Sequence, residues 1–388
     1  MRPGARNLPS GRCMGMTQAI PESIRQAFER TEHPFHMWEG LQSTPEALAT
    51  ILEPPVQAQI AAAAEALAGV DGVHLLGCGT SYFSGIAGTY AFHALTGIPG
   101  AAHNAFEFAA YPPGRLERSA VIAISHTGST GVALDAVRLA AQRGAVTIGL
   151  TDYPDSALAG AVAFPILGGG GREKSLPKTK SYPASLLRHY LLAARVAENR
   201  GGAGGEWAHA LFRAPELART VMADSLPLVE EVVAERLPAS QVFLIGNGPN
   251  VATALEGGLK LQESAQVPAH AWQLEEAMHG PWSIINPGDW VILLAMRGPG
   301  LAKAQGLAEA LQHIGVNLWV ITDEPDAVPG ARRVTRLPAG IPELFTPLFA
   351  ILPLYQFTYL TALALGKRPD CMRLADDRYL RARLALPR

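Results

Sequence analysis

The sequence predicts an α/β protein built from two tandem doubly wound parallel sheets. The main reason is an internal repeat. "VHLLGCGTSYFSG" begins at Val73 and "VFLIGNGPNVATA" at Val242, an offset of 169. At that offset Leu75 meets Leu244, Gly77 meets Gly246, Gly79 meets Gly248, Pro99 meets Pro268 and Glu107 meets Glu276. After a drift of one or two residues, "AVIAISHTG" aligns with "WVILLAMRG" and Thr151-Asp152 with Thr322-Asp323. An ordered series of matches marks two copies of one unit. Within each copy, apolar runs that end in glycine turns read as buried strands. The amphipathic stretches "GVALDAVRLAAQRG" and "GLAEALQHIG" read as helices stopped by glycine. Strand alternating with helix implies a parallel sheet covered on both faces.

The elements follow in order. Residues 1–34, "MRPGARNLPSGRCMGMTQ" onward, carry arginines but no apolar core segment, so they are expected to be disordered and not a secretory signal. Residues 35–205 form the first domain, with strands at "HLLGCG" and "AVIAIS". "ENRGGAGGEW" (198–207) reads as a flexible linker or a turn. Residues 206–388 form the second domain, with strands at "FLIGNG" and "WVILLA" and a C-terminal tail. The apolar run 341–366 contains three prolines, Glu343 and Gln356, which argue for a buried core helix and against a membrane span.

Composition narrows the function classes. The chain has 388 residues, 48% of them apolar, and a net charge of −2. No overall positive field exists to draw in nucleic acid. Three cysteines, Cys13, Cys78 and Cys371, are too few and scattered for a disulfide framework or a thiolate metal site, which points to a reducing cytoplasm.

Two glycine turns of the first copy carry the chemistry of a ligand site. Ser125-His126-Thr127-Gly128-Ser129-Thr130 joins a strand to a helix, and Thr80-Ser81 follows "GCG" after the preceding strand. A helix N-terminus offers unpaired N–H groups and partial positive charge, hydroxyls add donors, and glycine permits close approach. Together these suit a phosphate monoester. A nucleotide P-loop is excluded, because no G-x-x-x-x-G-K-[ST] occurs. The second copy has Ala295-Met296-Arg297-Gly298-Pro299-Gly300 at the equivalent turn and has lost every hydroxyl. One phosphate site per chain is expected, in the first copy.

The second copy carries ionisable groups instead. "ALEGGLKLQES" places Glu256, Lys260 and Glu263 at i, i+4 and i+7 on one helix face, among small and apolar neighbours that suggest a cleft. His279 precedes Gly280-Pro281 at a break in structure. A His and a Glu beside a phosphate site are suited to proton transfers in sugar chemistry.

The motifs "GCGTS", "SHTGST", "KTKSYPASLL", "ALEGGLKLQE" and "HGP", in this order and spacing, resemble tandem sugar-isomerase (SIS) domains, which have SIS-type, flavodoxin-like sheets. The resemblance covers roughly residues 35 to 370. It is to the isomerase half of glutamine–fructose-6-phosphate aminotransferase and to stand-alone amino-sugar-phosphate isomerases and deaminases. It implies that Thr80, Ser81, Ser125, His126, Thr127 and Thr130 hold the sugar phosphate. It further implies that Glu263 is the C1–C2 base, that Lys260 supports it, and that His279 opens the ring. In the family that histidine can come from the neighbouring subunit, which implies a homodimer with a shared site. Thr179-Lys180 matches the loop that covers the sugar.

Three departures bear on the reaction. No glutaminase segment precedes the isomerase part, so glutamine-dependent transfer is not expected. His126 and Ser129 stand where the aminotransferase has glutamine and glutamate. The family's C-terminal lysine is absent, and "PDCMRLADDRYLRA" presents Asp376 and Asp377 there. The expected function is isomerisation or deamination of a hexose 6-phosphate, an amino sugar foremost, with no metal or redox cofactor. The alternatives are a non-catalytic sugar-phosphate sensor and a deglycase of phosphorylated fructosamine-type adducts.

Overall fold

A computed structural model describes residues 20–236, 241–324 and 326–386. Strands β1 (Gly72–Gly77), β2 (Gly100–Asn104), β3 (Ser119–Ile124), β4 (Val146–Thr151) and β5 (Phe164–Leu167) form one sheet. Strands β6 (Val242–Gly246), β7 (Ala269–Gln273), β8 (Trp290–Leu294), β9 (Asn317–Thr322) and β10 (Arg333–Arg336) form the second. The strand orders are β2-β1-β3-β4-β5 and β7-β6-β8-β9-β10, so both copies share one topology. Every pairing is parallel. In such sheets the chain order reverses beside the first strand, and ligands bind outside the carboxyl ends there.

The repeat extends further than the sequence reading. The helix Thr80–Ala91 passes into a π-turn at Phe92–Thr96, and Asn250–Lys260 into one at Leu261–Ala265. Each π-turn ends in a left-handed residue, Gly97 in the first copy and Gln266 in the second. Glu263 therefore lies in a π-turn, not on a continuous α-helix as its i+7 spacing suggested. Insertions of this kind recur at functional positions. Edge strands β2 and β7 and outer strands β5 and β10 escaped the reading because they are four or five residues long and only partly buried.

The two sheets share one apolar core. Ile122 and Leu150 of the first copy join Leu244 and Ile292 of the second through the helices Ser181–Asn199 and Pro347–Ala364. Fully burying one such side chain contributes roughly 1.5–3 kcal/mol, so neither sheet is independent of the other. Pro347–Ala364 is the one described helix long and apolar enough to cross a membrane, and 83% of it is buried inside the fold. That agrees with the core-helix expectation.

One expectation is narrowed and one requires correction. Of the two readings of 198–207, linker or turn, the structure shows a tight turn between helices Ser181–Asn199 and Gly204–Leu211. A Cβ on Gly204 would lie 2.0 Å from the Ala194 carbonyl oxygen, so glycine here permits close helix packing and does not supply flexibility. In the segment expected to be disordered, Glu22–Ala27 is a helix whose Ile24 packs with Leu374 and Leu380. Residues 1–19, with Cys13, lie outside the described residues.

Candidate functional site

Thr80 and Ser81 begin the helix after β1, where Gly77 is essential: a Cβ there would sit 2.5 Å from the Ser81 carbonyl carbon. The hydroxyl turn follows β3 and opens the helix Gly131–Gln142. Ser125 Oγ lies 3.0 Å from Thr130 Oγ1, and Thr127 Oγ1 lies 2.8 Å from Ser129 Oγ. Gly128 has φ +61, and a Cβ on it would lie 2.3 Å from Ser156 Oγ. Only glycine fits both the backbone conformation and the space.

His126 receives a partner the sequence did not disclose. Its Nδ1 is 2.9 Å from Asp152 Oδ2, and Arg188 Nη2 is 2.8 Å from Asp152 Oδ1. Arg188 and Asp152 are buried. Burial pushes the Asp152 carboxyl up, but Arg188 and His126 outweigh it and hold the group below the usual carboxylate range.

The helices Thr80–Ala91 and Asn250–Lys260 pack against each other, and this contact unites the two copies. Lys260, 1% exposed, places Nζ 2.5 Å from Glu263 Oε2, 3.5 Å from Glu256 Oε1 and 3.1 Å from Thr80 Oγ1. Glu256 is fully buried and accepts a 2.9 Å hydrogen bond from Tyr355 Oη. Burial, which Lys260 only partly offsets, pushes the Glu256 carboxyl up to about 7. The two carboxylates hold Lys260 above the usual lysine range despite its burial, so it stays an ammonium. The result is an acid–base cluster touching a turn of the first copy.

Other expected residues are placed differently. His279 is exposed, with its Nε2 3.3 Å from Glu275 Oε1, and its contacts include neither Lys260 nor Glu263. Thr179 is buried, and its N–H and hydroxyl donate to Glu173 Oε2 at 2.8 and 3.1 Å. Lys180 Nζ donates to the Gly170 carbonyl at 2.6 Å. These two residues shape the covering loop through contacts of their own. Lys178, one residue earlier in the matched motif, feels the charges of Lys260 and Glu263. Burial holds its amine below the usual lysine range, and it donates to the Glu173 and Ser175 carbonyls at 2.7 and 2.6 Å. The run "KSLPKTK" contains three lysines, and spacing alone did not say which faces the cluster. Asp376 caps the helix Asp377–Ala385 and pairs with Arg378 at 2.7 Å, which holds its carboxyl at about 2.

The second copy's turn is filled by the chain itself. A Cβ on Gly298 would lie 2.0 Å from Glu343 Oε2, and Asn247 Nδ2 donates to Glu343 Oε1 at 3.2 Å. A resident carboxylate thus takes the place where an anion would sit, and the Arg297 N–H donates to Asp323 at 2.7 Å.

Beyond Glu263 opens a cavity of about 700 Å³ lined by Leu259, Gln266, Met372, Tyr379, Arg373 and Arg383, among others. Gln266 and Met372 are the two described non-glycine residues with positive φ, and Gln266 Nε2 donates to the Met372 carbonyl at 3.0 Å. Such conformations cost of order 1–3 kcal/mol each and cluster at functional sites.

Comparison with known proteins agrees with this architecture. The SIS domain model matches residues 67–195 and 237–364. Glutamine–fructose-6-phosphate aminotransferase (isomerizing) from Thermus thermophilus is 30% identical over 307 residues, covering 78% of this chain and 50% of the relative. The enzyme of the same name from Gloeobacter violaceus is 29% identical over 309 residues, covering 78% and 51%. The chain spans about half the length of these curated relatives. The C-terminal domain of glucosamine-fructose-6-phosphate aminotransferase from Francisella tularensis superposes with a TM-score of 0.77 at 19% identity, over 87% of this chain and 98% of that one. Glucosamine-6-phosphate deaminase from Thermotoga maritima gives a TM-score of 0.70 at 22% identity, over 87% and 97%. With two matched SIS units on two sheets of one topology, the chain belongs to the SIS domain family.

Proposed function

We propose that this chain is an isomerase or deaminase of a hexose 6-phosphate, an amino sugar phosphate foremost, working by proton transfer between C1 and C2. One observation carries the proposal: Lys260 bridges Thr80, in the phosphate-binding half, to Glu263, the candidate base, at 3.1 and 2.5 Å. The phosphate is held by Thr80, Ser81, Ser125, His126, Thr127 and Thr130, remote from the reacting carbons, so its binding energy orients them. Glu263 takes the C2 proton, the electron pair forms a C1–C2 double bond, and the C1 oxygen gains a proton. Return of the first proton to C1, with loss of the C2 hydroxyl proton to balance the one gained by the C1 oxygen, leaves a carbonyl at C2 from a hydroxy sugar. From an amino sugar the proton is lost from the C2 amine instead, leaving an imine at C2, which water hydrolyses with release of ammonia. The Lys260 ammonium steadies the negative charge on Glu263 before the transfer and the charge that develops on the C1 oxygen before it gains its proton. The reading includes a homodimer in which His279 of the partner subunit completes the site, and a cytoplasmic location.

A second reading, cleavage of a phosphorylated sugar–amine adduct, is favoured by the cavity beyond Glu263. Its apolar wall and its Arg373 and Arg383 suit an amine substituent bearing a carboxylate. Incubation in deuterated water with hexose 6-phosphates, their 2-amino forms and fructosamine 6-phosphates separates these activities. C2 exchange with ketose or ammonia release supports the first reading. Release of the substituent amine supports the second. No exchange and no turnover with any of them leaves a binding protein and overturns both.

A further inference from the structure

Two surfaces border the cavity of about 700 Å³ beyond Glu263. Leu259, Gln262, Glu263 and Gln266 come from the helix Asn250–Lys260, its π-turn and the cap of that turn. Tyr379, Ala382, Arg383 and Leu386 come from the C-terminal helix Asp377–Ala385 and its cap. Each set repeats at i, i+3, i+4 and i+7, so each forms one face of its element. The other apolar side of the C-terminal helix is already used, because Leu380 and Leu384 pack with Ile24. Tyr379 and Leu386 remain 40% and 55% exposed, so the fold leaves apolar surface uncovered at the cavity. The volume is of the order that holds a small organic molecule.

The charges around this space are one-sided. Arg378 and Arg381 pair with Asp376 and Asp377 at 2.7 and 2.6 Å. Arg373 and Arg383 line the cavity and join no ion pair among the described residues; Arg373 instead lies over the Tyr379 ring at 4.3 Å. Glu263 is the one acid in the lining, and Lys260 already holds it at 2.5 Å. An anion here meets two guanidiniums, whereas a cation meets no acid without a partner. None of the lining residues belongs to the phosphate-holding turns, and Glu263 is the residue shared with the acid–base cluster.

A ketose 6-phosphate held by its phosphate and reacting over Glu263 therefore directs a substituent on C1 into the cavity. Resting on the second reading above, we infer that this cavity is the specificity site for the amine part of a 1-amino-1-deoxyketose 6-phosphate, and that this part is an α-amino acid with an apolar side chain. Arg383 and Arg373 read its carboxylate, which a guanidinium meets with two parallel hydrogen bonds. The apolar wall takes the side chain, and a basic side chain is disfavoured because its ammonium would lose water without gaining a partner. Cleavage starts when Glu263 takes a C1 proton, the electron pair forms a C1–C2 double bond, and the C2 oxygen gains a proton. Return of the first proton to C2, with loss of the amine proton, leaves an imine at C1. Water hydrolyses it to an aldose 6-phosphate and the free amino acid.

Kinetics with three 6-phosphorylated fructosyl adducts test this: leucine, lysine linked through its α-nitrogen, and 3-methylbutylamine, which is leucine without its carboxylate. Release of the amine and formation of hexose 6-phosphate are followed together. The kcat/KM of the leucine adduct is expected to exceed that of the 3-methylbutylamine adduct by about tenfold or more, mainly through KM, since that analogue forgoes the charge-assisted hydrogen bonds. The lysine adduct is expected to be poorer than the leucine adduct by about tenfold. Arg373→Gln combined with Arg383→Gln is expected to bring the leucine to 3-methylbutylamine ratio near one. Arg383→Glu is expected to favour the lysine adduct over the leucine adduct. Equal wild-type rates for leucine and 3-methylbutylamine adducts, or for leucine and lysine adducts, overturn the inference while leaving the cleavage reading standing. So does a leucine to 3-methylbutylamine ratio unmoved by the double substitution, its fold checked by circular dichroism. If the folded wild type cleaves none of the adducts, the second reading fails and the inference fails with it.

Discussion

Replacing Glu263 by glutamine separates catalysis from binding. The amide has the size of the carboxylate and still accepts from Lys260, now 2.5 Å away, but it cannot take a proton from carbon. General-base catalysis is worth about 10²–10⁴, so kcat is expected to fall by that factor, about 3–5 kcal/mol of transition-state stabilisation. Stability is expected to change less. Lys260 is left with Glu256 at 3.5 Å and Thr80 at 3.1 Å, so its charge is not orphaned. The cost should therefore be about 1–2 kcal/mol, below the 3–5 of breaking a buried pair outright. Removing the Glu263 charge also lowers the Glu256 carboxyl from about 7, because Glu263 is one of the groups raising it. The assay follows deuterium entry at C2 of glucosamine 6-phosphate by NMR, beside calorimetric affinity for the same ligand. Expected are lost exchange and an affinity within a few fold of wild type. Robust wild-type exchange that survives Glu263→Gln would refute the assignment of the base.

Ser125→Ala combined with Thr127→Ala is expected to weaken a sugar 6-phosphate by about 2–4 kcal/mol, since charge-assisted hydrogen bonds contribute roughly 1.5–3 each. Met296→Ala should change affinity little, because Glu343 already fills the second turn; equal losses would contradict a single site. Gly128→Ala places a Cβ 2.3 Å from Ser156 Oγ at φ +61, so thermal unfolding should show a loss of at least about 1–3 kcal/mol together with weaker phosphate binding. Glu256 has a folded pKa raised to about 7, so its native state holds a proton that the unfolded chain releases near 4.5. That contribution is fully present below 4.5 and is lost as pH rises through 7. Glu256→Gln should flatten the corresponding decline in Tm between pH 5 and 8, and an unchanged decline would place the titration elsewhere.

Much of this architecture is legible in one dimension because it depends on local repetition. The glycine turns at Gly77 and Gly246, the buried strands after Val73 and Val242, and the 169-residue offset all follow from backbone sterics and apolar periodicity. The hydroxyl turn was legible for the same reason, since its residues are consecutive. The Glu256, Lys260 and Glu263 set was visible as a spacing, although a π-turn sets its final geometry.

What tertiary structure decided concerns groups that meet across the chain. Lys260 contacts Thr80 from 180 residues away, and His126 finds Asp152 at the end of a neighbouring parallel strand. Glu343 fills the second turn, and Lys178 feels the charge of the acid–base cluster. Sequence spacing limits which residues can share one element, but it carries no record of which elements pack side by side. Charge pairing and burial act through space and decay with distance, so these partnerships exist only once the two sheets have closed on one core.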